Sequence, residues 1–483
     1  MLRALLCVLL AVTSARACAA DIPRRPNVVL ILADDLGYGD PRVYNPESKI
    51  PTPRIDRLAA EGLRFIDAHT PSSVCTPTRY GLLTGRYSWR SRLQSGVLNG
   101  YSPALIESGR TTIASLLAAE GYRTACIGKW HLGLGSVEPA DYAQVFTPGV
   151  RSAGFAESFV LPASLDMPPY VFVENDHATV FPSAAVTGSK MRRHGGGGFW
   201  REGAIAPGFE FDATLPTITE RAVSFIERQQ PEKPFFLYLP LTAPHTPWMP
   251  TAEFRGRSAA GYYGDFVAQV DASLGRVLDA LEAMKLSGDT LVIFTSDNGA
   301  HWLPEDLAQW QHRANGPWRG QKADIWEGGH RVPFIVRWPG VVAPNSQSEQ
   351  LVCLTDCLAT IAELAHRPLK SGEAEDSFSF AGELDPSFGG GTLRDSIVHQ
   401  SADGTLAIRQ GMWKLATKLG SHGFSQPKDI DVKPGGPRGQ LYDLDTDPIE
   451  SVNLWLQQPQ RVRELETLLN RYRDQGFSRP QNR

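Results

Sequence analysis

The stretch Asn27-Val28-Val29-Leu30-Ile31-Leu32-Ala33 runs straight into Asp34-Asp35, and its reading decides the fold. An apolar run of this kind, without the alternation of a half-exposed strand, reads as a central strand buried on both faces. Working outward, helical patterns over residues 53–65, 111–120, 215–228 and 265–286 alternate with strand patterns over 122–127, 234–241, 290–295 and 332–338. Such alternation predicts an α/β fold with a large, mostly parallel sheet sandwiched by helices. Ligands of open α/β sheets bind beyond the carboxyl ends of the strands. Asp34-Asp35, Lys129-Trp130-His131, His245 and Asp297-Asn298 all fall at such ends, so the fold should collect them on one rim.

Residues 141–216 lose periodicity in Pro and Gly and read as long loops over that rim. A helix is expected over 355–365, then a polar, Gly-rich boundary over 370–391. Beyond it, 395–400, 404–409, 412–415 and 440–444 read as a small antiparallel sheet closed by a helix over 461–475. The expected division is 1–20 as a signal peptide, 21–370 as a catalytic domain and 371–483 as a smaller C-terminal domain. Residues 1–20 carry Arg3, an apolar stretch over 4–15 and Ala17-Cys18-Ala19-Ala20, the pattern of a cleaved export signal, which predicts a secreted or periplasmic protein.

Across 483 residues, 42% are hydrophobic and 21% charged, a globular balance that excludes disorder and coiled coil. Lys and Arg number 48 against 52 Asp and Glu, so no global field favours nucleic acid or an anionic membrane. No stretch after residue 20 is long and apolar enough for a membrane span. Six cysteines, two of them in the signal, cannot make a disulfide scaffold.

Asp34 and Asp35 are adjacent anions that repel unless a cation holds them. With Asp297 and Asn298 they form an all-oxygen set suited to Ca²⁺, with Mg²⁺ the alternative, and not to zinc. Taken separately, either pair is also an ordinary turn. Cys75-Thr76-Pro77-Thr78-Arg79 sits at an expected helix start, where amide dipoles and Arg79 favour an anion, and on chemistry alone Cys75 reads as a nucleophilic thiolate. Cys353 and Cys357 lie one helical turn apart with no matching His/Cys set and read as buried apolar residues. His194 with Gly195 to Gly198 has no accompanying nucleophile elbow, and Asp443, Asp445 and Asp447 lack the glycine of a calcium loop; both read as plain loops.

The segment from Ser73 to Arg86 nevertheless resembles the sulfatase signature C-x-P-[ST]-R followed by Thr-Gly-Arg, with Thr78 in place of the commoner Ser. Gly121-Tyr122-Arg123-Thr124-Ala125-Cys126-Ile127-Gly128-Lys129-Trp130-His131 resembles the second signature of the same family. The likeness runs from Asn27 to about Asn453 and is strongest to the arylsulfatase A and N-acetylgalactosamine-6-sulfatase branch of the type I sulfatases. It implies an alkaline-phosphatase-like fold, and a Cys75 oxidised to 3-oxoalanine (formylglycine) by a formylglycine-generating enzyme. By that resemblance Asp34, Asp35, Asp297, Asn298 and the modified residue 75 hold the metal, and a hydroxyl of the hydrated aldehyde attacks sulfur. Arg79 and Lys129 hold that hydrate, His131 takes its second proton, and His245 and Lys322 bind sulfate and assist the leaving oxygen. Ser164 is a further sulfate-site hydroxyl, and His301 touches substrate or caps a turn.

These readings imply a sulfuric ester hydrolase acting on an extracellular carbohydrate sulfate, or on an aryl sulfate. The alternatives are a phosphate or phosphonate ester hydrolase of the same superfold, and a non-catalytic sulfated-glycan binder in which Cys75 stays unmodified.

Overall fold

The computed structural model describes residues 25–189, 199–389 and 393–480. The segment over 1–20 and the His194 to Gly198 run lie outside the described residues. Ten strands form one sheet, in the order Ser346–Ser348, Leu63–Phe65, Phe334–Arg337, Thr290–Ser296, Asn27–Asp34, Phe235–Pro244, Arg123–Lys129, Glu157–Leu161, Val173–Glu174, His177–Ala178. The five strands from Thr290–Ser296 to Glu157–Leu161 are mutually parallel, and the flanking pairings are mostly antiparallel.

Asn27–Asp34 is central, as its composition requires. Val28, Leu30 and Leu32 point into one apolar core, and Val29, Ile31 and Ala33 into the other. The first core is closed by the helices Cys75–Thr84, Ile113–Ala119 and Asp356–Leu364, the second by Pro53–Ala60, Thr214–Glu227 and Gly261–Ala283. Burial on both sides leaves no polar alternation, which is why these strands read as unbroken apolar runs.

Three expectations need correction. The helix over 53–65 ends at Ala60, and Leu63–Phe65 is instead a strand. A side chain at Gly62 would meet the Val336 carbonyl oxygen at 2.2 Å, so the chain must turn there to pair with Phe334–Arg337. That second strand runs antiparallel to Thr290–Ser296 and covers four residues rather than seven. The loops over 141–216 contain Glu157–Leu161, a full member of the sheet whose five residues are too few to show a period beside Gly154 and Pro162.

Ser396–Gln400, Leu406–Gln410, Trp413–Ala416 and Gln440–Asp443 form a separate antiparallel sheet. The helix Pro459–Gln475 covers one face through Val462, Leu465, Leu469 and Tyr472. The other face meets Ile325 and Trp326. The polar-looking stretch over 370–391 carries Phe380, Ala381 and Leu384 into the first core.

A buried ionic seam joins the small sheet to the main body. Lys414 lies 3.0 Å from Glu327 and 2.8 Å from Glu450, all three fully buried. Its third N–H points at His330 Nε2, 2.9 Å away, which places the His330 proton on Nδ1, facing His69 Nδ1 at 3.0 Å, with His69 Nε2 in turn on Asp67. Breaking a buried pair strands the partner charge, at roughly 3–5 kcal/mol. Lys414→Ala is therefore expected to lower the unfolding free energy by about that amount. Equilibrium denaturation checks it, and a loss under about 1 kcal/mol would mean that the seam relaxes around the gap.

Candidate active site

Adjacent parallel strands deliver their carboxyl ends to one rim. Asp34 closes its strand, Asp297 and Asn298 follow Ser296, Lys129 closes the strand that leads to His131, His245 follows Pro244, and Ser164 lies three residues past Leu161. The helix Cys75–Thr84 starts at the same rim with Cys75 as its first residue, and Arg79, one turn on, lies on the same face. All twelve residues singled out in the sequence thus gather at one place, in two layers.

The lower layer is buried and mostly charged, with Lys322 reaching up from it into the cavity. Lys129 Nζ reaches both oxygens of Asp34, at 2.9 and 2.7 Å. Lys322 Nζ does the same for Asp35, at 2.8 and 2.9 Å. Arg79 donates twice to Asp297 Oδ2, from Nε at 3.0 Å and Nη2 at 2.7 Å, and once to the Lys129 carbonyl at 2.8 Å. The Asn298 amide donates to Asp35 Oδ1 at 2.7 Å. Burial pushes the Asp34 and Asp35 carboxyls up, but the cations outweigh it, Lys129 on Asp34 and Lys322 on Asp35, and both end below the ordinary range. Asp297 goes the other way: burial and then the Asp34 charge push it up, against the pull of Arg79.

Three of the non-glycine residues held at positive φ belong to this layer or its edge: Asp35 at 66°, His131 at 57° and Ala323 at 79°. Such strain persists only where surroundings over-determine it. At Asp35 they do. Its N–H donates to Asp297 Oδ1 at 3.2 Å, and Tyr263 Oη donates to its carbonyl at 3.2 Å and also to Asp40. Asp40 accepts from Gly37 N at 2.7 Å and from His312 Nε2 at 2.8 Å.

The upper layer lines a cavity of about 640 Å³, with Cys75, Ser164, His245, His301 and Lys322 among its walls. Burial pushes the Cys75 thiol up, although Lys129 and Lys322 pull the other way. Burial by itself thus gives an unmodified Cys75 no activation toward a thiolate. His245 Nδ1 donates to the Thr246 carbonyl at 2.6 Å, leaving Nε2, which stands 3.8 Å from Asp35, to handle a proton. His131 Nε2 donates to the Leu98 carbonyl at 2.8 Å, so Nδ1 is an acceptor. Burial, then Lys129 and Arg79, hold His131 well below the usual imidazole range, hence neutral.

Buried polar atoms without a hydrogen-bond partner are rare and call for a reason. Asn298 Oδ1, Ser164 Oγ, His131 Nδ1 and Asp166 Oδ1 are four of them, all at this site. An amide oxygen lacking a donor beside three carboxylates whose oxygens approach within 4.8 Å is the donor set of a hard divalent cation, and the residues fit one.

The family model described as Sulfatase covers residues 26–367. The chain belongs to the sulfatase family. Its reaction class is the hydrolysis of sulfate esters, and it lies in the arylsulfatase A and N-acetylgalactosamine-6-sulfatase branch. This sulfatase is 36% identical to an N-acetylgalactosamine-6-O-sulfatase of Bacteroides thetaiotaomicron, over 92% of this chain and 93% of that one. It is 34% identical to human arylsulfatase A, over 90% and 84%. A solved Bacteroides thetaiotaomicron structure, from work on the metabolism of multiple glycosaminoglycans, superposes with a TM-score of 0.81 at 34% identity, covering 92% of this sulfatase and 99% of that chain. No helix among the described residues is long and apolar enough to cross a membrane.

Sequence reasoning missed several groups of this sulfatase. Asp166 and Arg201, hydrogen-bonded to one another, line the cavity, as do Val97, Met167 and Phe424. Only Asp166 carried a signal, two residues beyond Ser164. Cys353 and Cys357 are buried free thiols in the first core or beside it, as expected, but they are not a helical turn apart: Cys353 closes the strand Val352–Cys353 and only Cys357 lies on the helix Asp356–Leu364.

Proposed function

We propose that the chain is an exported, metal-dependent sulfatase that removes sulfate from carbohydrates through a formylglycine at position 75. The observation that carries this reading is Cys75 at a helix start on the cavity wall, above a buried oxygen set complete enough for a divalent cation. Asp34, Asp35, Asp297 and Asn298 would hold Ca²⁺, or Mg²⁺, together with residue 75. Bound there, the ion would withdraw charge from the sulfate oxygens and favour the ionised form of the attacking hydroxyl that the formylglycine hydrate supplies.

The chain's own residues then have separable tasks. Arg79 and Lys129 orient residue 75 from below, and neutral His131, with Nδ1 open as an acceptor, suits a base. Lys322 and Ser164 bind the sulfate oxygens, and His245 Nε2 delivers the proton that the departing alkoxide needs. His301 contacts substrate rather than capping a turn, which its place in the cavity wall supports. The relative named for 6-O-sulfate on N-acetylgalactosamine supports a sulfated galactose or N-acetylgalactosamine as substrate. Residues 1–20 would be the export signal, 21–370 the catalytic domain and 371–483 the smaller domain.

Parallel assays on sulfated saccharides and on the matching phosphate esters test the reading; turnover of phosphate but not sulfate would overturn it. The role of His245 has its own measurement. A sugar alkoxide leaves poorly without a proton, whereas a nitrophenolate needs little help. His245→Ala is expected to lower kcat/KM by roughly 10²-fold on a sulfated saccharide and distinctly less on an activated aryl sulfate. Equal losses would leave His245 as a sulfate ligand only. Lys322→Ala, measured beside it, reports whether the ammonium shares in delivering the proton.

A further inference from the structure

Phe424 is an exposed aromatic held unusually firmly. Its residue is 47% exposed, yet it lines the cavity that Cys75, His245 and Lys322 line. A single exposed apolar side chain needs no explanation by itself, but this one faces the cavity from a loop that is tied down. Asp324 Oδ1 accepts from Phe424 N at 2.7 Å and from Ser425 N at 3.0 Å. Ile325 N donates to the Ser421 carbonyl at 2.8 Å, and Ser421 Oγ closes the loop onto the Ser425 carbonyl at 2.6 Å. Ser421 and His422 bond the returning strand of loop through Pro427 and Lys428, and a side chain at Gly423 would collide with the backbone of Ala323 at 2.3 Å. The anchor, Asp324, stands two residues from Lys322, on a turn whose Ala323 N–H donates to the Ser73 carbonyl at 2.8 Å. One turn therefore ties together the residue whose ammonium meets Asp35 and the backbone that carries the Phe424 ring.

The ring has company. His301, also in the cavity wall, lies with its ring centre 5.0 Å from that of Phe424, at 51°. Cys75, His245 and Lys322 are at most 7% exposed, so the chemistry is at the floor and Phe424 at the mouth. An aromatic face carries negative charge density and attracts the polarised C–H bonds on one face of a pyranose ring. We propose that Phe424, with His301 beside it, is a stacking platform for a sugar ring of the substrate, and so a specificity-determining residue contributed by the C-terminal part of the chain. The inference rests on the saccharide reading of the preceding section and adds the element that selects for a ring beyond the sulfate.

The test separates the platform from the sulfate site. For Phe424→Ala and Phe424→Leu, KM on a sulfated oligosaccharide is expected to rise roughly tenfold with kcat held within about twofold, because only ground-state and transition-state binding in common is lost. Phe424→Tyr keeps the face and should stay near the parent. Inhibition by inorganic sulfate, which reads the floor alone, should be the same in all four proteins. An unchanged KM in the alanine variant, or a leucine variant as good as the parent, would overturn the platform. A parallel shift in sulfate inhibition would also overturn it, by showing that the loop had carried Lys322 away. A parent enzyme that turns over aryl sulfate but no sulfated saccharide would instead remove the saccharide reading on which the platform rests.

Discussion

Cys75→Ala should remove sulfate ester hydrolysis almost entirely, by roughly 10⁵-fold or more in kcat, as loss of a nucleophile does elsewhere. It should do so without unfolding the chain. The residue is the first of its helix, where alanine is well tolerated, and the contacts that hold the segment do not use its side chain: Ser73 N donates to the Gln400 carbonyl at 2.9 Å, and Thr78 Oγ1 to the Ser72 carbonyl at 2.8 Å. Thermal unfolding of the variant within a few degrees of the parent, with activity lost, is the expected pair of results. The complementary measurement is the mass of the peptide containing Cys75 from protein made in a host with the modifying enzyme. A folded Cys75→Ala protein with parental turnover would end the formylglycine reading, and an unmodified peptide in an active enzyme would return the thiolate to consideration.

The strand Asn27–Asp34 was legible because two-sided burial writes itself as composition, and the adjacent carboxylates because their repulsion demands a partner. The signature around Cys75 points to a modified residue where chemistry alone reads a thiolate, and burial, which raises that thiol, gives no sign of activation. Two kinds of feature stayed hidden. Glu157–Leu161 is too short to show a period, and it places Ser164 and Asp166. Phe424 belongs to a Gly- and Ser-rich run that reads as a surface loop, and only the distant Asp324 anchor turns it into a wall of the cavity. Periodicity reports what a segment buries against its own element; it carries nothing about a loop fixed by a residue a hundred positions away.

Asp297→Ala should be nearly as severe for activity, on the order of 10³-fold or more, and for a different reason. Asp297 accepts three hydrogen bonds in the buried layer, two from Arg79 and one from the Asp35 N–H, and it contributes an oxygen to the set with Asp34 and Asp35. Its removal leaves Arg79 with the Lys129 carbonyl and a 3.5 Å approach to Asp34, so a buried cation loses its main counter-charge. It also relieves repulsion among three carboxylates, which offsets part of that cost. Asp297→Asn separates the two effects, because the amide oxygen can still accept from Arg79 while the charge is gone. Chelation should abolish parental activity and Ca²⁺ or Mg²⁺ restore it. Ca²⁺ should raise the Tm of the parent through binding to the folded state, raise that of Asp297→Asn less, and leave Asp297→Ala unmoved. Equal stabilisation of all three proteins by Ca²⁺ would place the cation away from Asp297, and full activity after exhaustive chelation would show that the oxygen set serves only to hold Arg79, Lys129 and Lys322 in place.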